Sequence, residues 1–144
     1  MMVIADSGFW VALFNSKDRW HERARQWLAG YGGQLICTWP VLTEASHLIG
    51  SYLGPEISRR FVGAVQQGAC EIFPLAHSEL PRMTALMRQY QDLPMDLADA
   101  SLVVVAECLG HGRIVSTDER DFQAYRWKRH YPFNNLLAPL TRPF

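Results

Sequence analysis

The chain lacks the sequence features of exported, membrane-spanning and disulfide-stabilised proteins. It has three cysteines, Cys37, Cys70 and Cys108, an odd number lying far apart in apolar surroundings. This pattern argues against a disulfide framework and against a thiolate metal site. No apolar run is long enough to cross a bilayer, and the N-terminus has no basic segment followed by a long apolar stretch. We therefore expect a cytoplasmic protein without a membrane partner.

The chain also has no excess of either charge, no internal repeat and no low-complexity segment. Its 14 basic residues balance its 14 acidic ones, which at first sight argues against a nucleic-acid partner. Six of the acids, however, recur at predicted element boundaries: Asp6, Glu44, Asp96, Asp99, Asp118 and Asp121. If these six form one cluster, 8 acids remain against 14 basic residues elsewhere, and such a surface would attract phosphate groups.

Length and composition predict one folded domain over residues 1–144. The hydrophobic residues make up 49% of the chain, enough for a normal core at this length. Short apolar runs predict strands at residues 2–5, 34–38, 70–73 and 113–116, with a last edge strand at 134–137. Helical segments separate these strands, so we expect an α/β fold with three α/β/α layers and a central, mostly parallel sheet of four to five strands.

Helices are predicted at residues 9–14, 18–29, 55–67, 77–90 and 97–109, with a further helix starting at Pro40. Apolar side chains recur near helical spacing in these segments, and among them we expect Val62 and Leu80 to face the core. Four tryptophans are expected to be core or dimer anchors: Trp10, Trp20, Trp27 and Trp39.

Four acidic residues from distant parts of the sequence are expected to meet at one edge of the sheet. Asp6 and Asp118 are each the first acid after a strand, which places both at the carboxyl edge, where α/β proteins bind their ligands. Glu44 and Asp99 lie early in helices. Because helices in βαβ units run antiparallel to the strands, these helix N-termini belong to the same edge.

Carboxylates brought this close raise each other's pKa unless a cation neutralises them. The motifs offer only oxygen ligands, with no histidine or cysteine nearby, which favours Mg²⁺ or Mn²⁺ over Zn²⁺. Such ions activate water and neutralise the leaving oxygen in phosphodiester hydrolysis. The acids therefore predict metal-dependent cleavage of phosphodiester bonds.

The ordered motifs resemble those of PIN-domain nucleases, and the length resembles that of the single-domain VapC-type toxins. The matching features are Asp6-Ser7-Gly8, Glu44 after the second strand, Asp99-Ala100 with Ala106-Glu107 in an apolar helix, and Val115-Ser116-Thr117-Asp118 with Asp121-Phe122. Together they cover almost the whole chain in the family's order. The resemblance implies a PIN-like fold, endonucleolytic cleavage of single-stranded RNA, a homodimer, and inhibition by a small antitoxin protein encoded alongside.

The resemblance also implies roles for individual residues. It implies a catalytic quartet of Asp6, Glu44, Asp99 and Asp118. It implies Mg²⁺ or Mn²⁺ ligands at Asp6, Asp99 and Asp118, with Asp121 as an additional or alternative ligand. The hydroxyl residues Thr117 and Ser7 resemble those that orient water or ligands in this family.

Two assignments stay open, one at each pair of acids. Asp96 and Asp99 are three residues apart on a helix and point in neighbouring directions, so either fits the third acid. Asp96 alone fits a helix cap better than a metal ligand. In the same way, either Asp118 or Asp121 fits the fourth acid of the quartet. Both also fit caps of the short helix that follows.

The function also has alternatives. One is an RNA-processing nuclease without a toxin role, and another is a catalytically idle PIN-like binding module, against which the retained quartet counts. The basic and aromatic run at residues 125–131 fits RNA contact through phosphates and stacked bases. It also fits a solvated terminus packed partly on the core, and we expect the latter.

Overall fold

Short strands form the centre of the structure, a computed structural model that describes residues 2–137. Residue 1 and residues 138–144 of the predicted domain lie outside the described residues. The strands are β1 (Met2–Ala5), β2 (Gln34–Cys37), β3 (Glu71–Ile72), β4 (Arg113–Val115), β5 (Arg126–Trp127), β6 (Tyr131–Pro132) and β7 (Asn134–Asn135). Five of them form one sheet in the order β3-β2-β1-β4-β7, and every pairing in it is parallel.

The helices are α1 (Ser7–Phe14), α2 (His21–Gly30), α3 (Trp39–Leu53), α4 (Pro55–Gln66), α5 (Leu80–Gln89), α6 (Leu97–Leu109) and α7 (Asp121–Ala124), with a 3₁₀ turn at His77–Glu79. They flank the sheet and complete a three-layer α/β/α fold, which confirms the predicted fold class. Within residues 2–137, none of the helices is both long and apolar enough to span a bilayer.

Strand β1 lies at the middle of the sheet and fixes where the site forms. Ile4 pairs with Ile36 of β2 on one side and with Ile114 of β4 on the other. Val3 and Ile4 are fully buried, as expected for a parallel strand covered on both faces. The residues that follow β1 and β4 therefore emerge side by side at the carboxyl edge.

Helix α6 is the most buried helix and carries one of the candidate acids at its first turn. The Asp96 side chain caps it by accepting a hydrogen bond from the Asp99 N–H at 2.9 Å. Gly110 ends it in the left-handed region, at φ 78°, which glycine adopts without strain. The residues between these ends are buried almost all round, including Ser101, Val103 and Val105. Burial this complete fixes the position of the helix start.

Several predicted details were wrong, and each has a local cause. Helix α2 begins at His21 because Asp18 forms a turn in which its Oδ1 accepts the Trp20 N–H at 2.8 Å. Val62 is 53% exposed and Leu80 41% exposed. Both residues lie at the margin of the face that packs on the core, whose buried members are Phe61 in α4 and Met83 and Leu86 in α5.

The tryptophans differ in their environments. Trp10 and Trp20 are buried, as expected for core anchors, and Trp27 packs partly buried against the core. Trp39 is 63% exposed, so it is not a core anchor, and the other expected role, that of a dimer anchor, stays a prediction. It is the first residue of α3, where the side chain projects beyond the helices that pack on this element.

Strands β5 and β6 form an antiparallel hairpin that was not predicted. Trp127 pairs with Tyr131, and the turn between them has positive φ at Lys128 (48°) and Arg129 (67°). Turns with two such residues are usually marked by Asn-Gly in the sequence. Lys-Arg gives no such signal.

The cysteines also include an unpredicted neighbour pair. The Sγ atoms of Cys37 and Cys70 lie 3.3 Å apart in the core, although 33 residues separate them, and all three cysteines are free thiols. Cys37 ends β2 and Cys70 precedes the adjacent β3. The pairing of these strands brings the two thiols together.

Candidate active site

An open cleft of about 320 Å³ lies at the carboxyl edge of the sheet. The eight site residues proposed from the sequence all line it: Asp6, Ser7, Glu44, Asp96, Asp99, Thr117, Asp118 and Asp121. The structure thus brings together acids that are up to 115 positions apart in the chain. Gly8, Leu93, Pro94 and Arg120 complete the lining.

Asp6 is the most buried of these acids, at 6% exposure. Its N–H continues the sheet by donating to the Val115 carbonyl at 3.1 Å. Its side chain caps α1 through the Ser7 N–H (2.7 Å to Oδ1) and accepts the Ser116 hydroxyl (2.9 Å to Oδ2). Burial raises the pKa of Asp6 to about 6, with further contributions from the charges of Glu44 and Asp118, against the lowering effect of the two hydrogen bonds.

Glu44 reaches the cleft from the second turn of α3. The Ser7 hydroxyl donates to Glu44 Oε1 at 2.6 Å. This bond links the carboxylate of α3 to the start of α1, directly beside Asp6. Ser7 therefore fixes the orientation of an acid, and it is itself 8% exposed.

Asp99 enters the cleft from the first turn of α6. The hydroxyl of the fully buried Tyr125 donates to Asp99 Oδ2 at 3.1 Å. Burial, together with the charges of Asp6 and Asp96, raises the pKa of Asp99 to about 8. Asp96 is exposed and caps the same helix, so of this pair Asp99 is the acid that lies within the electrostatic reach of Asp6.

Asp118 follows β4 and caps the short helix α7. Its Oδ1 accepts the N–H groups of Arg120 (3.0 Å) and Asp121 (2.8 Å). Burial raises the pKa of Asp118, and these two amide bonds oppose that rise. Asp121 lies in the first turn of α7, where its Oδ1 accepts the Arg120 Nε–H at 3.0 Å. Both acids line the cleft. Asp118 also caps the helix that follows it, which is one of the two roles that its sequence position allows.

Ser116 and Asn135 support the acids and were missed as site residues. Ser116 is fully buried, and its hydroxyl bridges Asp6 and the N–H of Asp118, which lies 3.0 Å away. Asn135 holds Ser116 in turn: its Oδ1 accepts the Ser116 N–H (3.1 Å) and its Nδ2 donates to the Ser116 carbonyl (2.8 Å). Ser116 directly follows β4, whereas the sequence predicts it as the last residue of that strand, and a serine is not selected as the first acid after a strand.

Gly8 and Thr117 are in close contact across the cleft. A Cβ at position 8 would lie 2.1 Å from Thr117 Oγ1, which is too close for two heavy atoms that are not bonded to each other. Glycine at this position therefore lets the Thr117 hydroxyl approach the start of α1 beside Asp6.

The donor set fits a hard divalent cation. It consists of carboxylate oxygens. Burial and the neighbouring charges raise the pKa of three of these carboxyls, those of Asp6, Asp99 and Asp118. A cation would relieve this unfavourable charge. Within residues 2–137, no three acidic, histidine or cysteine side chains already stand as a complete metal-binding group. The acids therefore fit a divalent cation by their chemistry and by their location in one cleft.

A family model agrees with this arrangement of strands, helices and acids. The PIN domain model matches residues 3–128. The chain belongs to the PIN-domain family. The matched range of this PIN domain contains all of the acids that line the cleft.

Individual relatives extend the comparison. This PIN domain is 23% identical over 124 residues to Ribonuclease VapC26 of Mycobacterium tuberculosis (strain ATCC 25618 / H37Rv), covering 86% of this chain and 92% of that protein. The crystal structure of VapC20 from the same species, a toxin that cleaves the sarcin–ricin loop, matches with a TM-score of 0.75 and 17% identity, over 82% of this chain and 91% of VapC20.

A toxin–antitoxin complex from Klebsiella pneumoniae matches with a TM-score of 0.59 and 19% identity, over 83% of this chain and 89% of that one. At such identities the structural matches establish the shared fold.

Proposed function

We propose that this PIN domain is a Mg²⁺- or Mn²⁺-dependent endoribonuclease that acts as the toxin of a toxin–antitoxin pair. The convergence of Asp6, Glu44, Asp99 and Asp118 in one open cleft is the observation that carries this proposal. The RNA substrate is supported by the names of VapC26 and VapC20. The antitoxin partner is supported by the Klebsiella complex.

In this mechanism Asp6, Asp99 and Asp118 would hold the ion, and Asp121 would be available as a further ligand. The ion would supply an activated water and neutralise charge on the leaving oxygen. The protein supplies the positions: Ser116 orients Asp6 through a 2.9 Å hydrogen bond, and Tyr125 orients Asp99 through a 3.1 Å hydrogen bond.

Glu44 completes the acidic quartet without being placed among the ion's ligands. Its carboxylate is held by the Ser7 hydroxyl at 2.6 Å, which keeps an acceptor in the cleft beside Asp6. A carboxylate fixed in this way can orient the attacking water and take up its proton.

Protein partners are part of the proposal. We propose a cytoplasmic homodimer that a small antitoxin inhibits. Trp39, Tyr52 and Val62 are all more than half exposed, and exposed apolar side chains of this size favour a protein partner. Light scattering of the isolated protein tests the dimer, and a monomer at micromolar concentration would contradict it.

Cleavage of a single-stranded RNA tests the enzymatic proposal. Asp6→Asn and Asp99→Asn should each remove Mg²⁺- or Mn²⁺-dependent cleavage while the thermal unfolding remains cooperative. Glu71→Gln is the matched control, because it removes one exposed carboxylate on β3, outside the cleft. Full activity of the wild-type protein in EDTA would contradict the mechanism.

Expression in a bacterial host separates the toxin from an RNA-processing nuclease. The proposed toxin should arrest growth, and co-expression of a small protein encoded beside it should restore growth. Asp99→Asn should be harmless in the same host. Metal-dependent cleavage without growth arrest would favour the processing enzyme.

A further inference from the structure

The turn of the β5–β6 hairpin has an unusual amino-acid composition for its backbone. Lys128 and Arg129 both have positive φ, and the His130 N–H closes the turn on the Trp127 carbonyl at 3.3 Å. Asn and Gly adopt this backbone with the least strain. Strained residues of other types are found where a function requires their side chains.

Two helices hold this turn in place through its backbone. Glu107 of α6 accepts the Lys128 N–H at 2.7 Å and forms a two-pronged ion pair with Arg82 of α5, at 3.0 and 2.7 Å. This ion pair is largely shielded from solvent. The anchor contacts the main chain of Lys128, and both Lys128 and Arg129 are exposed, with the Glu107 carboxylate within electrostatic reach of Lys128.

The two exposed charges are available to a ligand. None of the salt bridges found among residues 2–137 involves Lys128 or Arg129. Both residues are exposed, and His130 beside them is exposed as well. The hairpin thus presents positive charge from a fixed backbone, which suits an anion better than an apolar partner.

An aromatic surface lies beside the charges. The rings of Trp127 and Tyr131 have centroids 4.6 Å apart, and Tyr131 is 51% exposed. The Trp127 ring is fixed by its own hydrogen bond to the Pro132 carbonyl at 3.2 Å. Basic side chains next to an exposed aromatic ring are the usual components of a surface for single-stranded nucleic acid.

The hairpin starts at the active site. Tyr125 contacts Asp99, and β5 follows it directly along α6 as far as Glu107, where the turn is anchored. From Asp99 to Glu107 the helix rises about 12 Å, at ~1.5 Å per residue. A stacked single strand covers this distance in about three to four nucleotides, at ~3.4 Å each.

We propose that the β5–β6 hairpin is a second RNA-contact surface, lying three to four nucleotides from the cleaved bond. Lys128 and Arg129 contact backbone phosphates, and Tyr131 stacks on a base. This inference rests on the proposed function, because the ligand is the RNA that the acidic cleft cleaves.

Binding of a fluorescent 12-nucleotide single-stranded RNA in EDTA tests this surface without cleavage. The double variant Lys128→Asn/Arg129→Gly removes both charges and supplies the residues that the turn backbone prefers, so the fold is retained. Lys128→Gln/Arg129→Gln is a second variant that keeps long side chains. We expect weaker binding by both variants and a salt dependence, in log K against log salt, that is shallower by about 1.4 for two lost phosphate contacts on a single strand.

The control is Arg59→Gln/Arg60→Gln, which removes two exposed charges from α4. It should bind RNA with the wild-type salt dependence. Wild-type salt dependence in both hairpin variants, or an equal loss in the α4 control, would overturn the proposal.

The metal-dependent cleavage assay separates this inference from the proposed function. If the wild type cleaves RNA and the hairpin variants keep the wild-type slope of log K against log salt, the hairpin surface is refuted and the proposed nuclease function is not. RNA binding that depends on the hairpin, without any cleavage in Mg²⁺ or Mn²⁺, supports the surface and refutes the nuclease.

Discussion

Metal binding to the acidic cleft should release protons, and the number released follows from the structure. Asp6 and Asp99 have raised pKa values because burial disfavours their charged forms. A divalent cation requires both carboxylates to be ionised. Each proton still present before binding must therefore leave when the ion enters.

The expected number depends on pH. With pKa values of about 8 for Asp99 and about 6 for Asp6, about 0.9 and about 0.1 of these groups are protonated at pH 7, so about one proton leaves per ion. At pH 8.5 the same values leave about 0.25 proton to be released. The release should fall about fourfold between these conditions.

Isothermal titration calorimetry with Mn²⁺, in two buffers of different ionisation enthalpy, measures this number directly. Asp99→Asn should lower the release at pH 7 by about 0.9 proton, because the Asp99 carboxyl no longer titrates. Glu71→Gln should release as many protons as the wild type. Binding of Mn²⁺ by the wild type at pH 7 with no proton released would refute the assignment of these two carboxyls.

Three further predictions concern the same residues. Because Asp6 and Asp99 have raised pKa values when folded, their stabilising effect is complete below ~3.8 and is lost as pH rises through about 6 and then 8. The metal-free melting temperature should fall from pH 5 to 8, and a rise would contradict this. Gly8→Ala forces Thr117 to move and should cost about 1–3 kcal/mol of unfolding free energy in urea, whereas an unchanged urea midpoint would refute the close contact. Tyr125→Phe removes the donor to Asp99 and should weaken Mn²⁺ binding several-fold at pH 7, while equal affinity would show that the hydroxyl is dispensable.

The strand ends explain why the acids were predictable from sequence. A buried parallel strand is a short apolar run, and the first acid after it must lie at the carboxyl edge. This reasoning placed Asp6 after β1 and Asp118 after β4, and the structure brings both to one cleft. Asp96 was also recognised as a helix cap because its spacing to Asp99 is that of a first turn.

The supporting residues depend on packing, which leaves little trace in the sequence. Tyr125 meets Asp99 across 26 positions only because α7 turns the chain back onto α6. The β5–β6 turn contains Lys-Arg in place of Asn-Gly, so no local signal marks it. Val62 and Leu80 fit an apolar stripe by spacing, yet the packing of their helices leaves both exposed.

Anomalous diffraction from crystals soaked in Mn²⁺ tests whether the converging acids form a metal site. We expect one strong peak in the cleft, with carboxylate oxygens of Asp6, Asp99 and Asp118 at about 2.1 Å from it. The peak should be absent from crystals of Asp99→Asn. A wild-type crystal at saturating Mn²⁺ with no peak in this cleft would show that these acids do not form a metal site.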